Sequence, residues 1–198
     1  MNEPNEPDPT ELQALLRRAA DGDSLAWSAI VAEFAPRIFG LLRAQCRDGD
    51  LAEEITQSTF CTLAAKISVY VETGRFESWV FRIAMNRLRD EMRRRSRQAR
   101  PMETEPMQAR SVRSKGVADA ETDEIHARLA RAMARLPEAD REIIDLRHTG
   151  AMSFKALSDY YEEPVGTLLA RHHRALRKLR VMLEDMGVKA DDAGGVEG

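Results

Sequence analysis

Trp79–Arg100 reads WVFRIAMNRLRDEMRRRSRQAR. Arg82, Arg87, Arg89, Arg93, Arg94, Arg95, Arg97 and Arg100 stand here against only two acids, Asp90 and Glu91. The whole chain has 30 Lys+Arg against 33 Asp+Glu and a formal charge of −3, so this basic run is a local concentration. At helical spacing Phe81, Met85, Leu88 and Met92 line one side, with Val80 and Ala84 beside them. Arg82, Asn86, Arg89 and Arg93 line another. The pattern predicts a helix that packs on one face and presents guanidinium groups and one carboxamide on the other. Guanidinium suits phosphate, and a carboxamide suits the edge of a base. Taken alone, the run is equally compatible with a merely solvated face. A second basic helix further along shifts the balance.

Working outward, 198 residues accommodate one domain or two small ones. A hydrophobic share of 43% suffices for folded cores, while 32% charged with only 6% aromatic points to helices with long solvated faces. No apolar run approaches the roughly 18–20 residues of a membrane span. The opening MNEPNEPDPTE is acidic and proline-rich, the opposite of a signal peptide. These features predict a cytoplasmic protein without membrane insertion. Cys46 and Cys61 fall on separate predicted helices, and two half-buried thiols fit better than a disulfide.

The expected organisation is all-α: two small helical domains joined by a flexible linker, the second a helix-turn-helix. Residues 1–10 are expected to form a disordered tail. Within the first domain, 11–95, Thr10 caps a helix that ends at Asp21-Gly22-Asp23. Asp23 or Ser24 caps the next, whose apolar stripe is interrupted by Pro36, predicting a kink or break near Ala35. A third helix from about Leu51 to Ser68 buries Leu51, Ile55, Thr59 or Phe60, Leu63 and Ile67. Val69–Phe76 leads into the basic helix. Residues 96–122 are polar, with scattered methionines and valines, and read as a linker. The second domain, 123–186, opens with a helix carrying Ile125, Leu129, Ala132, Met133 and Leu136. Pro137 starts another, which buries Ile143, Ile144 and Leu146. Ser153 caps a short helix over Phe154–Tyr161, and Glu162-Glu163-Pro164 turns the chain into a long helix from Val165 to about Met186. An acidic tail, 187–198, follows.

That last helix is the second basic one. Val165, Leu168, Leu169, His172, Leu176, Leu179 and Leu183 form its apolar stripe. In a helix-turn-helix, early residues of the second helix reach base edges and later basic ones meet phosphates. Thr167, Ala170, Arg171, His173 and Arg174 are therefore the candidate readers; Arg177, Lys178 and Arg180 are candidate positioners. His172 faces the packed stripe and His173 the solvent. Two basic helices with apolar backs, on two domains, point to nucleic-acid binding. Metal-ligand spacings such as C-x-x-C or H-x-x-x-H do not occur, nor does a P-loop, dinucleotide fingerprint or nucleophile elbow. No metal, cofactor or catalytic residue is expected. A stand-alone helix-turn-helix regulator of duplex DNA remains compatible with the second domain alone.

DLAEEITQSTF at Asp50–Phe60, followed by RFESWVFRIAMNRLRDEMRRR at Arg75–Arg95, resembles conserved region 2 of bacterial sigma factors of the extracytoplasmic-function (ECF) type. ARLPEADREIIDLRHTGAMSFKALSDYYEEPVGTLLARHHRALRKLR, Ala134–Arg180, resembles region 4 of the same family. The order and spacing match, and no extra domain intervenes. The resemblance implies an initiation subunit that performs no chemistry and gives core RNA polymerase its promoter choice. Its implied partners are core RNA polymerase and promoter DNA, and it allows an anti-sigma factor as a third.

Residue by residue, the resemblance places Glu53, Glu54, Gln57 and Ser58 on the acidic helix that grips a coiled-coil of the large polymerase subunit. Ser58 stands where many relatives carry another acid, which implies fewer charge-assisted contacts. Trp79, Arg82 and Asn86 match the helix that melts the −10 element, with Arg89, Arg93 and Arg94 holding the displaced strand. Asn86 matches a residue lining a pocket for a flipped-out base, and Tyr70–Arg75 the loop completing that pocket. The final helix matches the −35 reader. Leu169 and Ala170 depart from the polar residues common there; Ala170 can touch a thymine methyl but offers no side-chain hydrogen bond. A 27-residue linker, Ser96–Thr122, extends at most about 90 Å. Elements some 17 base pairs apart lie about 60 Å from each other. The Trp79–Asn86 segment separates this reading from the stand-alone regulator, because a duplex binder has no use for a melting helix.

Overall fold

The protein is described by a computed structural model over residues 9–98 and 120–188. The expected tail at 1–8, most of the linker and nearly all of the acidic C-terminal tail lie outside these residues. Every regular element among them is helical: α1 (Pro9–Ala20), α2 (Ser24–Cys46), α3 (Gly49–Lys66), a 3-10 turn at Ile67–Val69, α4 (Phe76–Gln98), α5 (Ala120–Arg135), α6 (Glu138–His148), α7 (Phe154–Tyr161) and α8 (Val165–Asp185). The ends of α4 and α5 take in both edges of the expected linker.

Local chemistry explains most boundaries. α1 opens on Pro9, whose fixed φ suits a helix start, so Thr10 lies inside the helix instead of capping it. Asp23 caps α2, its carboxylate accepting from Leu25 N–H at 2.9 Å and Ala26 N–H at 3.2 Å. Ser153 caps α7 through Ala156 N–H at 3.0 Å, and the turn after Tyr161 closes on Glu162 in the left-handed region.

Asp48 caps α3 through Leu51 N–H at 3.0 Å and also pairs with Arg95 at 2.8 Å. The Leu51 bond, then Arg95, holds its carboxyl below the ordinary value. The stability it adds is therefore present above the unfolded carboxylate range and is lost as pH falls through the lowered value. Asp48→Ala should cost about 1 kcal/mol and lower Tm by roughly 2–4 °C at pH 7, read by thermal denaturation. The loss should shrink as the pH approaches that of the protonated carboxyl.

Of the expected kink or break, the break does not occur: α2 runs on through Pro36. Pro36 and Ala32, whose carbonyl loses its partner, are both solvent-exposed, so water can satisfy that carbonyl. The opposite face buries Ala26, Ile30, Phe34, Ile38, Leu41 and Leu42, which outweighs the roughly 3 kcal/mol cost of an internal proline. α2 also passes as a membrane span by length and composition, which the sequence reading missed. Its buried stripe packs on α1, α3 and α4, as a core helix does.

The helices form two compact units, one of α1–α4 with Asp145–Val165, the other of α5, the start of α6 and most of α8. This grouping differs from a division at residues 96–122, because α7 packs on α4. In the first unit Val80, Phe81, Ala84, Met85 and Leu88 of α4 are buried as the period demands. Met92 is 47% exposed instead, because α4 outruns the shorter α3 that it packs against. Thr59 is buried on α3 while Phe60 is half-buried. Thr59 hides its hydroxyl by donating to Ile55 O at 2.7 Å. Phe60 turns edge-on to Trp27.

In the second unit Ala132, Leu136, Ile143, Ile144, Leu168, His172, Ala175 and Leu179 are buried. His172 is thus a core residue and His173 is exposed, as its spacing predicts. Leu129 of α5 is 38% exposed. Cys46 is half-buried but Cys61 is exposed, and neither forms a disulfide.

Candidate nucleic-acid and polymerase interfaces

α3 turns two unlike faces outward and inward. Ala52, Ile55, Thr56 and Thr59 are buried, which leaves Glu53, Glu54 and Gln57 exposed and Ser58 half-exposed on the other side. Gln57 donates to Glu53 Oε1 at 3.2 Å, one turn earlier. The exposed face is acidic.

On α4, Trp79, Arg82, Asn86, Arg89 and Arg93 follow one stripe, roughly opposite the buried face. Trp79 begins it, stacked on Tyr70 with ring centroids 4.5 Å apart and planes 11° from parallel. Three features shape the loop carrying Tyr70. Gly74 adopts φ +79, where a side chain would be strained. Glu72 Oε1 accepts from the amides of Gly74 and Arg75. Tyr70 also meets Phe76 edge-on at 5.5 Å. Burial, then the nearby Glu72 carboxylate, pushes the Tyr70 phenol well above its ordinary value, so it stays protonated. Loop Tyr70–Arg75 is thus held beside the start of the stripe, forming a flat aromatic pair next to cations.

Asn86 is exposed, and its Oδ1 accepts from Arg89 at 3.3 Å, which leaves its amide hydrogens to donate outward. Arg93 pairs loosely with Asp90 at 3.5 Å. Arg82 is half-exposed, and the C-terminal end of α7 accepts from it through Asp159 O, Tyr160 O and Glu162 Oε1. Arg94 departs from this pattern. It lies about 100° around the helix from the stripe and meets Glu91 through two bonds of 2.7 and 2.8 Å. Arg94 and Arg95 together hold the Glu91 carboxyl at about 2, so the cluster stays fully charged at neutral pH. Such an exposed pair contributes little and can be surrendered to a stronger anion. Arg87 is occupied by Thr62 of α3.

α8 presents Thr167, Ala170, His173, Arg174, Arg177 and Lys178 to solvent, with Arg171 half-exposed. Arg174 and Arg177 make no ion pair among the described residues. Lys178 does, meeting Asp140 of α6 at 2.5 Å. The sequence offered no sign of this pair, because the two residues are 38 positions apart. Val165 and Leu169, expected on the packed stripe, are each 39% exposed.

Two family descriptions match these surfaces in order: sigma-70 region 2 over residues 30–98 and sigma-70 region 4 over residues 132–181. The ECF RNA polymerase sigma factor RpoE of Cereibacter sphaeroides is 32% identical over 181 residues, covering 87% of this chain and 95% of its own. The chain belongs to the ECF sigma factor family.

The sigma factor CarQ of Myxococcus xanthus is 27% identical, over 86% of this chain and 97% of its own. Two solved structures share the fold. CnrH, determined in complex with the cytosolic domain of CnrY, superposes with a TM-score of 0.66 over 90% of this chain and 99% of its own, at 22% identity. RpoE of Bartonella quintana, determined in complex with the anti-sigma factor NepR, gives 0.64 over 79% and 96%, at 19%. Family membership settles the class of function: this is a polymerase-associated transcription initiation factor, not a stand-alone regulator. Region 2 includes both the acidic face of α3 and the stripe of α4, and region 4 includes the exposed face of α8.

Proposed function

We propose that this sigma factor docks on core RNA polymerase through Glu53, Glu54, Gln57 and Ser58 and opens the −10 element with Trp79, Arg82, Asn86, Arg89 and Arg93. Arg94 joins only after leaving Glu91. Residues 11–95 carry out both tasks, and residues 123–186 hold the −35 duplex through Thr167, Ala170, Arg171, His173, Arg174, Arg177 and Lys178. The observation that carries this reading is the separation of chemistries within region 2. An acidic face on α3 suits a basic protein partner, while a cationic stripe with one free amide on α4 suits an unstacked strand.

The reach of the chain agrees. Twenty-one residues lie between Gln98 and Ala120 and span at most about 70 Å, against about 60 Å between promoter elements. The protein makes no bond itself, needs no cofactor and works in the cytoplasm with its polymerase. An anti-sigma factor is a fitting regulator, by analogy with the Bartonella relative. Co-purification of the full chain with bacterial core polymerase, followed by run-off transcription from a genomic library, tests the function. A chain that neither binds core nor directs initiation would overturn it.

In the −35 reader, the holoenzyme should separate reading from holding. Arg174→Ala should flatten preference at one or two −35 positions by roughly 1 kcal/mol, the low end for an arginine–guanine contact. Lys178→Ala should weaken all promoters alike and shallow the salt slope by about one. Lys178 already has Asp140 as a partner, so its loss should matter less than that of Arg177. A randomised −35 library bound by the holoenzyme at two salt concentrations reads all three.

A further inference from the structure

Arg177, Lys178 and Arg180 follow the readers on α8, and their charges are unequally available. At about 100° per residue, Arg177 lies near the middle of the exposed face, close to the line of Ala170 and Arg174. Lys178 and Arg180 fall toward its two edges. Each edge carries an acid. Lys178 Nζ meets Asp140 Oδ2 of α6 at 2.5 Å, and Arg180 Nε meets Glu184 Oε1, one turn later on α8, at 3.0 Å.

The two acids differ in strength. The Asp140 side chain is only 13% exposed, so water and salt screen its pair with Lys178 poorly. It stands in the first turn of α6, where the helix dipole favours a carboxylate. The Glu184 side chain is 52% exposed, and an acid placed after its cation at i,i+4 is the less favourable order, so this pair yields more readily. A DNA phosphate approaching either cation must displace the carboxylate or lie beside it, like charge against like.

We propose that Asp140 and Glu184 restrain the −35 grip by competing with DNA phosphates for Lys178 and Arg180. Among the described residues, Arg177 is then the positioner that a phosphate reaches without such competition. The strip of α8 that holds the backbone is narrowed to the middle of the exposed face, which centres the duplex on Ala170 and Arg174. The same competition keeps the sequence-independent part of the affinity low, because that part comes from phosphate contacts. This rests on the assignment of α8 to the −35 duplex.

The test is Asp140→Asn/Glu184→Gln in the holoenzyme, beside Glu138→Gln/Asp185→Asn, which removes the same charge from neighbouring positions. Anisotropy with a fluorescein-labelled duplex carrying the −35 element should show binding about fivefold tighter than the parent, and the control within about twofold. The plot of log affinity against log salt should steepen by about one, since a full phosphate contact contributes about 0.9 and two cations regain theirs in part. A random-sequence duplex should gain by the same factor. In a Lys178→Ala/Arg180→Ala background, the acid substitutions should do no more than the control. A gain no larger than the control's, one that survives loss of both cations, one confined to the −35 duplex, or an unaltered salt slope would overturn the restraint. Glu184→Gln alone, at an exposed position, should give a smaller gain of the same kind, so a folding defect from Asp140→Asn does not decide the outcome. Arg177→Ala keeps the two readings apart. It should weaken binding at every promoter, and undiminished binding there would instead remove α8 from the −35 duplex.

Discussion

Glu54→Lys combined with Gln57→Ala should lower affinity for core RNA polymerase by about a hundredfold, with the fold unchanged. Both side chains are fully outside the core of α3, whose buried face is Ala52, Ile55, Thr56 and Thr59. Their replacement removes no packing and leaves no buried polar atom unmet, so circular dichroism and Tm should stay near the parent's. The binding loss has two parts. One or two charge-assisted hydrogen bonds vanish, each worth about 1.5–3 kcal/mol, and a positive charge then faces a basic partner. Ser58 supplies no additional charge, so the site has little reserve. Fluorescence titration against core polymerase measures the loss. A double variant that competes for core as well as the parent would show that docking lies elsewhere.

Asn86→Ala should behave in the opposite way, binding core normally while opening promoters about ten times less well. With Oδ1 taken by Arg89, the amide hydrogens of Asn86 are the part left to read a base edge. One such contact to a desolvated, unstacked base is worth about 1–2 kcal/mol, and 1.4 kcal/mol is a factor of ten. Permanganate reactivity of holoenzyme-bound promoter DNA reports melting directly. Undiminished reactivity would remove Asn86 from the mechanism, and the aromatic pair Tyr70–Trp79 would become the next candidate for holding the base.

Much of this architecture is written in local signals. α7 and its cap at Ser153, the turn at Glu162–Pro164 and the start of α8 at Val165 lie where the residues predict, because caps and prolines act over three or four positions. The buried faces of α4 and α8 follow the helical period for the same reason. Even Asn86 and the stripe around it are legible, since residues at i, i+4 and i+7 share a face whatever surrounds the helix.

Failures of the sequence reading begin where a neighbour decides. Pro36 was expected to kink or break α2, yet the helix runs on through it, because the Ala32 carbonyl left unmet faces water while six apolar residues pack behind it. Met92 keeps the period but has no helix to pack against, because α4 runs on past its partner. Arg94 and Lys178 resemble free cations along the chain, and each has an acid in space, Glu91 one turn away and Asp140 on another helix. The residues that cover the α4 stripe, Asp159, Tyr160 and Glu162, are some 70–80 positions from the arginines they meet. The sequence by itself thus determined the helices, their faces and the family. Which charges remain available to a partner was decided only by the tertiary structure, because an ion pair depends on distance in space, and propensity and periodicity carry no information about residues so far apart.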